Sequence, residues 1–459
     1  MKANQKKLFI KTWGCQMNIY DSNKMADILA PMGYAQAQTP EGADMIILNT
    51  CHIREKATDK VFSELGRLKI YKDQKEKNGE KMIMAVAGCV AQAEGDFIAE
   101  RAPYVDMVFG PQTYGSLPEM VAKATGAYGR SRVINTDFPE EEKFDNLPEA
   151  TLAKGPTAFL AVQEGCDKFC TFCVVPYTRG AEYSRSVQAI MDEAKTLRDQ
   201  EIKEITLIGQ NVNAYHGNDD NGQTRSLADL IALLADLDGI ERIRYTTSHP
   251  RDMRDDLLDA HATIPKLMPY LHLPIQSGSN IILKAMNRKH EVSLYIDIIE
   301  KLRRNRPDIA LSSDFIVGFP GEREEDFEDT MQLVRHINYA QAYSFKYSAR
   351  PGTPAATMGG LVREEIKTER LSRLQALLME QQMAFNTRLI GQEMDVLFDG
   401  YGRIKGQLHA RTPYNQAIHI MANRRLYGTI QKARVTGTNG NSLMGELALV
   451  EDDCQQAVS

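Results

Sequence analysis

The feature that most constrains this chain is an alternation of short apolar strands with amphipathic helices, repeated along most of its 459 residues. LFIKTWGC (8–15), DMIILNTC (44–51) and KMIMAVAGC (81–89) are apolar runs of strand length, and segments of helical spacing follow them. Strands joined through helices cannot pair as hairpins. They demand parallel sheets, whose C-terminal strand edges are where ligands gather. The same rhythm returns from Thr157, with FLAVQEGC, EITLIGQNV, RIRYTTSHP, LMPYLHLPIQ, IALSSDFIVGFP and AYSFKYSAR as strands. Consecutive units of this kind predict a partial or complete parallel barrel.

Between the two blocks, 125–156 is rich in Pro, Gly and charge and has no period, as a surface linker would. Beyond a long helix over about 363–389, MDVLFDGY, GQLHARTPYNQAIHI, GTIQKARVTGT and SLMGELALV are short strands separated by turn residues. The expected fold class is α/β: an N-terminal parallel α/β domain (6–123), a linker (124–151), a central (β/α) partial barrel (152–384) and a C-terminal small antiparallel β-barrel (387–450).

The chain is 43% hydrophobic, enough for real cores, and its net charge of −6 argues against a globally basic nucleic-acid binder. Yet residues 386–447 carry eight Arg or Lys against four Asp or Glu, a local +4. Arg403, Lys405, Arg411, Arg424 and Arg425, beside Tyr401, His409, Tyr414 and Tyr427, suit RNA backbone contact and base stacking. No apolar run approaches the roughly 18 residues of a membrane span, and no signal-peptide pattern opens the sequence. A soluble, cytoplasmic, monomeric protein with no membrane partner is expected.

Seven cysteines are too odd a set for a disulfide framework. Cys166, Cys170 and Cys173 form a CxxxCxxC that follows the first strand of the predicted barrel. Zinc sites pair CxxC units or add histidines, and this run offers neither. A 4Fe–4S cluster on three cysteines leaves one iron open to a cofactor or substrate. Cys15, Cys51 and Cys89 each end a predicted strand. One such cysteine is usually a small core residue, but parallel strands bring all three ends to one sheet edge, and GCQMN, NTC and GCV place small or turn residues beside the sulfur. A second metal site is therefore expected there. Cys454 sits in the acidic tail with no evident role. Arg179, Arg185 and Arg350 are candidate phosphate or carboxylate binders.

CxxxCxxC after a first barrel strand resembles the radical S-adenosylmethionine (SAM) superfamily. TWGCQMNIYDS, NTCHIREKA, AGCVAQ and EGCDKFCTFCVVPYTRG resemble its methylthiotransferases over nearly the whole chain, and CQMNxYDS, REKA, CTFCVVPYTRG and FGPQ resemble the group acting on isopentenylated tRNA. His52, Ile19, Ala181 and Val187 depart from that group's usual pattern, but no cysteine is lost. The resemblance implies two 4Fe–4S clusters, SAM, and a C-terminal TRAM RNA-binding domain. It implies that the cluster on Cys166, Cys170 and Cys173 cleaves SAM to a 5'-deoxyadenosyl radical. That radical would attack C2 of an N6-isopentenyladenosine beside the anticodon. The cluster on Cys15, Cys51 and Cys89 would supply sulfur and a further SAM the methyl group. The implied partners are tRNA, an electron donor and a sulfur source, the last two unidentified. Related enzymes that modify threonylcarbamoyladenosine or a ribosomal-protein aspartate are alternatives; a non-catalytic iron–sulfur RNA binder is a remoter one. Gln210, Asn211, Gln276, Ser277, Ile316 and Gly318, at later strand ends, are expected to contact SAM or substrate.

Overall fold

The computed structural model describes residues 5–51, 57–126, 132–138 and 155–448. His52, Cys454 and most of the expected linker lie outside them. The first domain is a six-stranded, wholly parallel sheet in the order Tyr34–Gln36, Lys6–Thr12, Met45–Thr50, Ile83–Gly88, Met107–Phe109, Val133–Asn135. Met45–Thr50 and Ile83–Gly88 are buried at every position. That follows from their uninterrupted apolar runs, since helices cover both faces of a parallel sheet. Val133–Asn135, placed in the linker by sequence, is the sixth strand; three residues carry too little pattern to be read as one.

In the central domain, Thr157–Ala161, Glu204–Ile208 and Arg242–Tyr245 form one parallel sheet and Tyr270–His272, Ala310–Val317 and Gln341–Lys346 another. A parallel bridge between Ile243 and Leu267 links them. Helices pack outside over one continuous apolar core. Thr157–Ala161 and Gln341–Lys346 are the two outer strands of this arrangement, so the barrel is partial. Its first strands meet the first domain through Met17, Tyr20, Ala161 and Ile208.

The helix Glu364–Thr387 leads to a closed five-stranded barrel ordered Glu393–Tyr401, Gln407–Arg411, Ala417–Met421, Ser442–Leu447, Ile430–Asn439. Sequence had this barrel as a small antiparallel one, and four of its five pairings are antiparallel. Ala417–Met421 and Ser442–Leu447 instead run parallel. An odd number of strands cannot alternate direction all the way round a closed ring, so one parallel pair is a topological necessity. Arg242 and Arg244 fasten this barrel to the central domain. They donate to the carbonyls of Asp395 (2.6 Å), Arg411 (3.0 Å), Thr412 (2.8 Å) and Pro413 (2.9 Å).

Candidate active site with two cysteine triads

Cys15, Cys51 and Cys89 come together at the C-terminal edge of the first sheet. Cys51 directly follows Met45–Thr50, and Cys89 follows Ile83–Gly88 and opens the helix Cys89–Arg101. Cys15 caps the helix Gln16–Leu29, its Sγ 3.3 Å from Asn18 Oδ1. Two glycines make the convergence possible. A Cβ on Gly14 would lie 2.5 Å from the Cys51 Cβ, and one on Gly88 only 2.4 Å from the Thr50 carbonyl oxygen. The Cys51 thiol interacts with both of the others. It keeps its proton, its pKa driven up by both neighbours and by burial. Cys15 falls to about 7 and Cys89 to about 5, first through the hydrogen bond from Cys51 and then, against the cost of burial, through the charge of Arg179. Both stand at helix N-termini, where the dipole also favours thiolate.

Cys166, Cys170 and Cys173 share a loop between the strand Gln163–Glu164 and the helix Val175–Arg179. The Cys173 amide donates to the Cys170 carbonyl at 2.9 Å, and Phe169 takes a left-handed φ of 47° that lets the loop turn back. Later barrel segments hold it: Thr171 N donates to Met286 O (3.1 Å), Asn287 Nδ2 to Phe169 O (2.8 Å), and Lys168 pairs with Asp252 (2.8 Å). Arg288 Nη1 approaches Cys170 Sγ at 3.6 Å. Burial raises Cys166 to about 11 and Cys173 to about 12.

Among the described residues, no three or more His, Cys, Asp or Glu side chains converge as a single metal ion requires. A four-iron cluster spreads its thiolates over separate corners, so three sulfurs without histidine fit it better than a lone zinc. The Arg288 donor beside Cys170 and the glycine-cleared space beside Cys51 fit the same group.

The remaining expected residues divide. Gln210 Oε1 accepts from Gly165 N (2.7 Å), and Asn211 Nδ2 donates to Asp252 (2.8 Å), so both brace the cysteine loop. Gln276 adopts φ 80°, a strain typical of functional positions. Ile316 packs against the same small apolar cluster, around Met286 and Phe319, as Phe172 of the CxxxCxxC. Ser277 turns away, toward Thr330, and Gly318 sits against Lys367, its amide donating to Glu322 at 2.8 Å. Arg403, Lys405, Arg424 and Arg425 are exposed on the small barrel, whereas Arg411 is engaged by Asp399 (3.3 Å). Arg179 and Arg185 are nearly fully buried, and the carboxylates they bind belong to this chain.

Sequence reasoning missed Asp252, Arg288 and His290. His290 packs edge-on against His249 at 5.4 Å, and burial lowers the pKa of both, to about 4 for His290. Their location beyond later barrel strands was the one available signal.

Family models match in three blocks: the radical SAM superfamily over residues 160–334, the TRAM domain over 387–448, and the uncharacterized protein family UPF0004 over 7–110. A cobalamin- and cluster-bound radical SAM methyltransferase, TsrM of Kitasatospora setae, shares the fold at 12% identity, with a TM-score of 0.56 over 77% of each chain. The cobalamin-dependent radical SAM enzyme OxsB follows at 12% identity, with a TM-score of 0.52 over 82% of this chain and 56% of the other. Fold and sequence thus define a radical SAM enzyme with a C-terminal TRAM barrel, a class that uses a 4Fe–4S cluster and SAM. The tRNA-2-methylthio-N(6)-dimethylallyladenosine synthase of Rickettsia felis is 57% identical over 444 residues, covering 96% of this chain and 99% of that protein. The chain belongs to the tRNA-2-methylthio-N(6)-dimethylallyladenosine synthase family.

Proposed function

We propose that this chain methylthiolates C2 of N6-isopentenyladenosine beside the anticodon of tRNA in the cytoplasm. The near full-length identity to the Rickettsia synthase carries the reading. The presence in one fold of one cysteine triad at the ends of parallel strands and another in the loop after Gln163–Glu164 supports it. Cys166, Cys170 and Cys173 would hold the cluster that binds SAM, and Cys15, Cys51 and Cys89 a second one. When bound, the first cluster with SAM supplies the radical chemistry that an unactivated C–H bond demands and that acid–base groups cannot perform.

The chain's own residues have three tasks. Arg288 and the Lys168–Asp252 pair hold the cysteine loop in register with the barrel. His249 and His290, kept neutral by burial, line the same region without adding charge. The exposed cations and tyrosines of the small barrel grip the RNA while the target base leaves its stack.

Tandem mass spectrometry of tRNA nucleosides from a deletion strain tests the reading. Isopentenyladenosine should lose its 2-methylthio group and regain it with the gene. An unchanged nucleoside would mean that the substrate is wrong. Anaerobic incubation with SAM and dithionite separates out the non-catalytic alternative, which would release no 5'-deoxyadenosine.

A further inference from the structure

The sheet of Tyr270–His272, Ala310–Val317 and Gln341–Lys346 has one face turned to its helices and one left concave. On Ala310–Val317, Phe315 and Val317 enter the core beneath the helices, so Asp314 and Ile316 face the other way. The register carries that face onto Gln341–Lys346, where Tyr343 pairs with Asp314 and Phe345 with Ile316. Tyr343 and Phe345 are 46% and 53% exposed, although both stand inside a strand. A complete barrel would fill this face with side chains from opposite strands; here Gln341–Lys346 is an outer strand and the wall stays open. His272 stands edge-on to Tyr343, ring centroids 6.4 Å apart, with its Nε2 3.6 Å from Asp314 Oδ2. That exceeds hydrogen-bond length, and the Asp314 side chain is 29% exposed, so its carboxylate is open to a donor. Ile316 packs on the same apolar cluster as Phe172 of the CxxxCxxC, so the wall reaches the cysteine loop.

We propose that Asp314, Tyr343 and Phe345 are the residues that select an isopentenylated adenine: the carboxylate accepts the single N–H left on N6, and the two rings hold the branched apolar chain beside it. The inference rests on the substrate proposed above and adds which side chains read it. The N6 group presents one donor next to an apolar chain, and the wall presents one acceptor next to two apolar rings. Tyr343 and Phe345 stand about 7 Å apart along the strand, a span that suits a short alkenyl chain. A base drawn out of its stack is read in this way, by hydrogen bonds to its edge and contact with aromatic rings. Adjacent half-exposed aromatic side chains in a concavity mark a surface that a ligand covers. An N6 group bearing a carboxylate would have to desolvate its charge against the two rings, so the same wall refuses it.

The test measures binding of the full-length, cluster-loaded protein to labelled anticodon stem-loops by fluorescence anisotropy. The loops carry isopentenyladenosine, adenosine, or the ether analogue in which oxygen replaces the N6 nitrogen. Wild type should prefer the isopentenyladenosine loop to both others. Tyr343→Ala and Phe345→Ala should each narrow the preference over adenosine about tenfold, as the loss of roughly two buried methylenes would, and Tyr343→Phe should keep it. Asp314→Asn, whose amide can donate, should erase the preference for the amine over the ether. SAM affinity, read by equilibrium dialysis, should stay at its wild-type value in the ring variants. Loss of SAM binding with an unchanged loop preference overturns the proposal, because the rings then face SAM. So does an unchanged preference in the ring variants, or equal weakening of every loop. If wild type shows no preference yet methylthiolates the isopentenyladenosine loop, this proposal fails and the substrate reading stands. If it forms no methylthiolated product from that loop, the substrate reading has failed, and this inference with it.

Discussion

The two triads present the same three sulfurs but are assembled in opposite ways. Cys166, Cys170 and Cys173 are neighbours in sequence, and their loop is shaped by hydrogen bonds from later barrel segments. Cys15, Cys51 and Cys89 are far apart in sequence and meet only because three parallel strands end on one edge. Their electrostatics differ as well. Burial dominates at the loop and keeps Cys166 and Cys173 as thiols, near 11 and 12. In the sheet-edge triad the shared hydrogen bonds and Arg179 overcome burial at Cys15 and Cys89. A local motif can be read from its spacing; a site built by topology exists only once the sheet is folded.

If the triads also divide the chemistry, their removal should have different outcomes. Replacing Cys166, Cys170 and Cys173 by alanine has the largest expected effect, abolishing both 5'-deoxyadenosine release and methylthiolation. Replacing Cys15, Cys51 and Cys89 should abolish the methylthiolated nucleoside yet spare 5'-deoxyadenosine release, while bound iron falls. Chromatography of the SAM products and iron analysis on the same samples check both. Methylthiolation that survives the second set would break the division outright.

The comparison also depends on the two domains being held together, and Glu193 is central to that. It is buried, with Lys24 at 3.0 Å and Arg185 at 2.7 Å, and Tyr20 donates to it at 3.3 Å. Glu193→Gln leaves two buried cations short of a partner and should cost about 3–5 kcal/mol in urea unfolding. Burial alone would raise the Glu193 pKa, but Arg185 and Lys24 together lower it. A carboxylate with a lowered folded-state pKa contributes stability above its ordinary value of 4.5 and loses it as pH falls through the lowered one. Wild-type unfolding should therefore show an acid-labile component below pH 4.5 that Glu193→Gln lacks. Equal pH profiles would show that this pair does not govern docking.

How much of this was legible in the sequence follows the same division. Three strands of the first sheet and the six barrel strands were readable because buried parallel strands are largely apolar at successive positions, as in MIILNT and IMAVAG. Both triads were readable, one from spacing and one from strand ends. Arg179 was visible as a candidate anion binder, but nothing local shows that its partners are Asp21 and Glu164, 158 and 15 residues away. Arg288, His290 and Asp252 were invisible for the same reason: what they touch is decided by barrel closure. Val133–Asn135 was missed because a three-residue strand has no period to detect.

The smallest expected effect concerns the C-terminal barrel. On the small barrel, Tyr401 is 60% exposed and stacks on Tyr427, with ring centroids 5.2 Å apart and planes within 7°, while the Arg424 guanidinium lies 5.6 Å from the Tyr401 centroid. An exposed ring backed by a second ring, with a cation beside it, is a ready platform for a nucleic-acid base. Tyr401→Ala should weaken tRNA binding by about 1–3 kcal/mol, raising KM for tRNA while leaving kcat at saturating tRNA and the iron content of both triads unchanged. Arg424→Gln should instead lower the salt dependence of binding by about one phosphate contact. Filter binding across a salt series separates the two. A Tyr401 variant that lost kcat rather than affinity would show that the barrel shapes the reacting geometry, and RNA grip and radical chemistry would no longer be separable parts of the molecule.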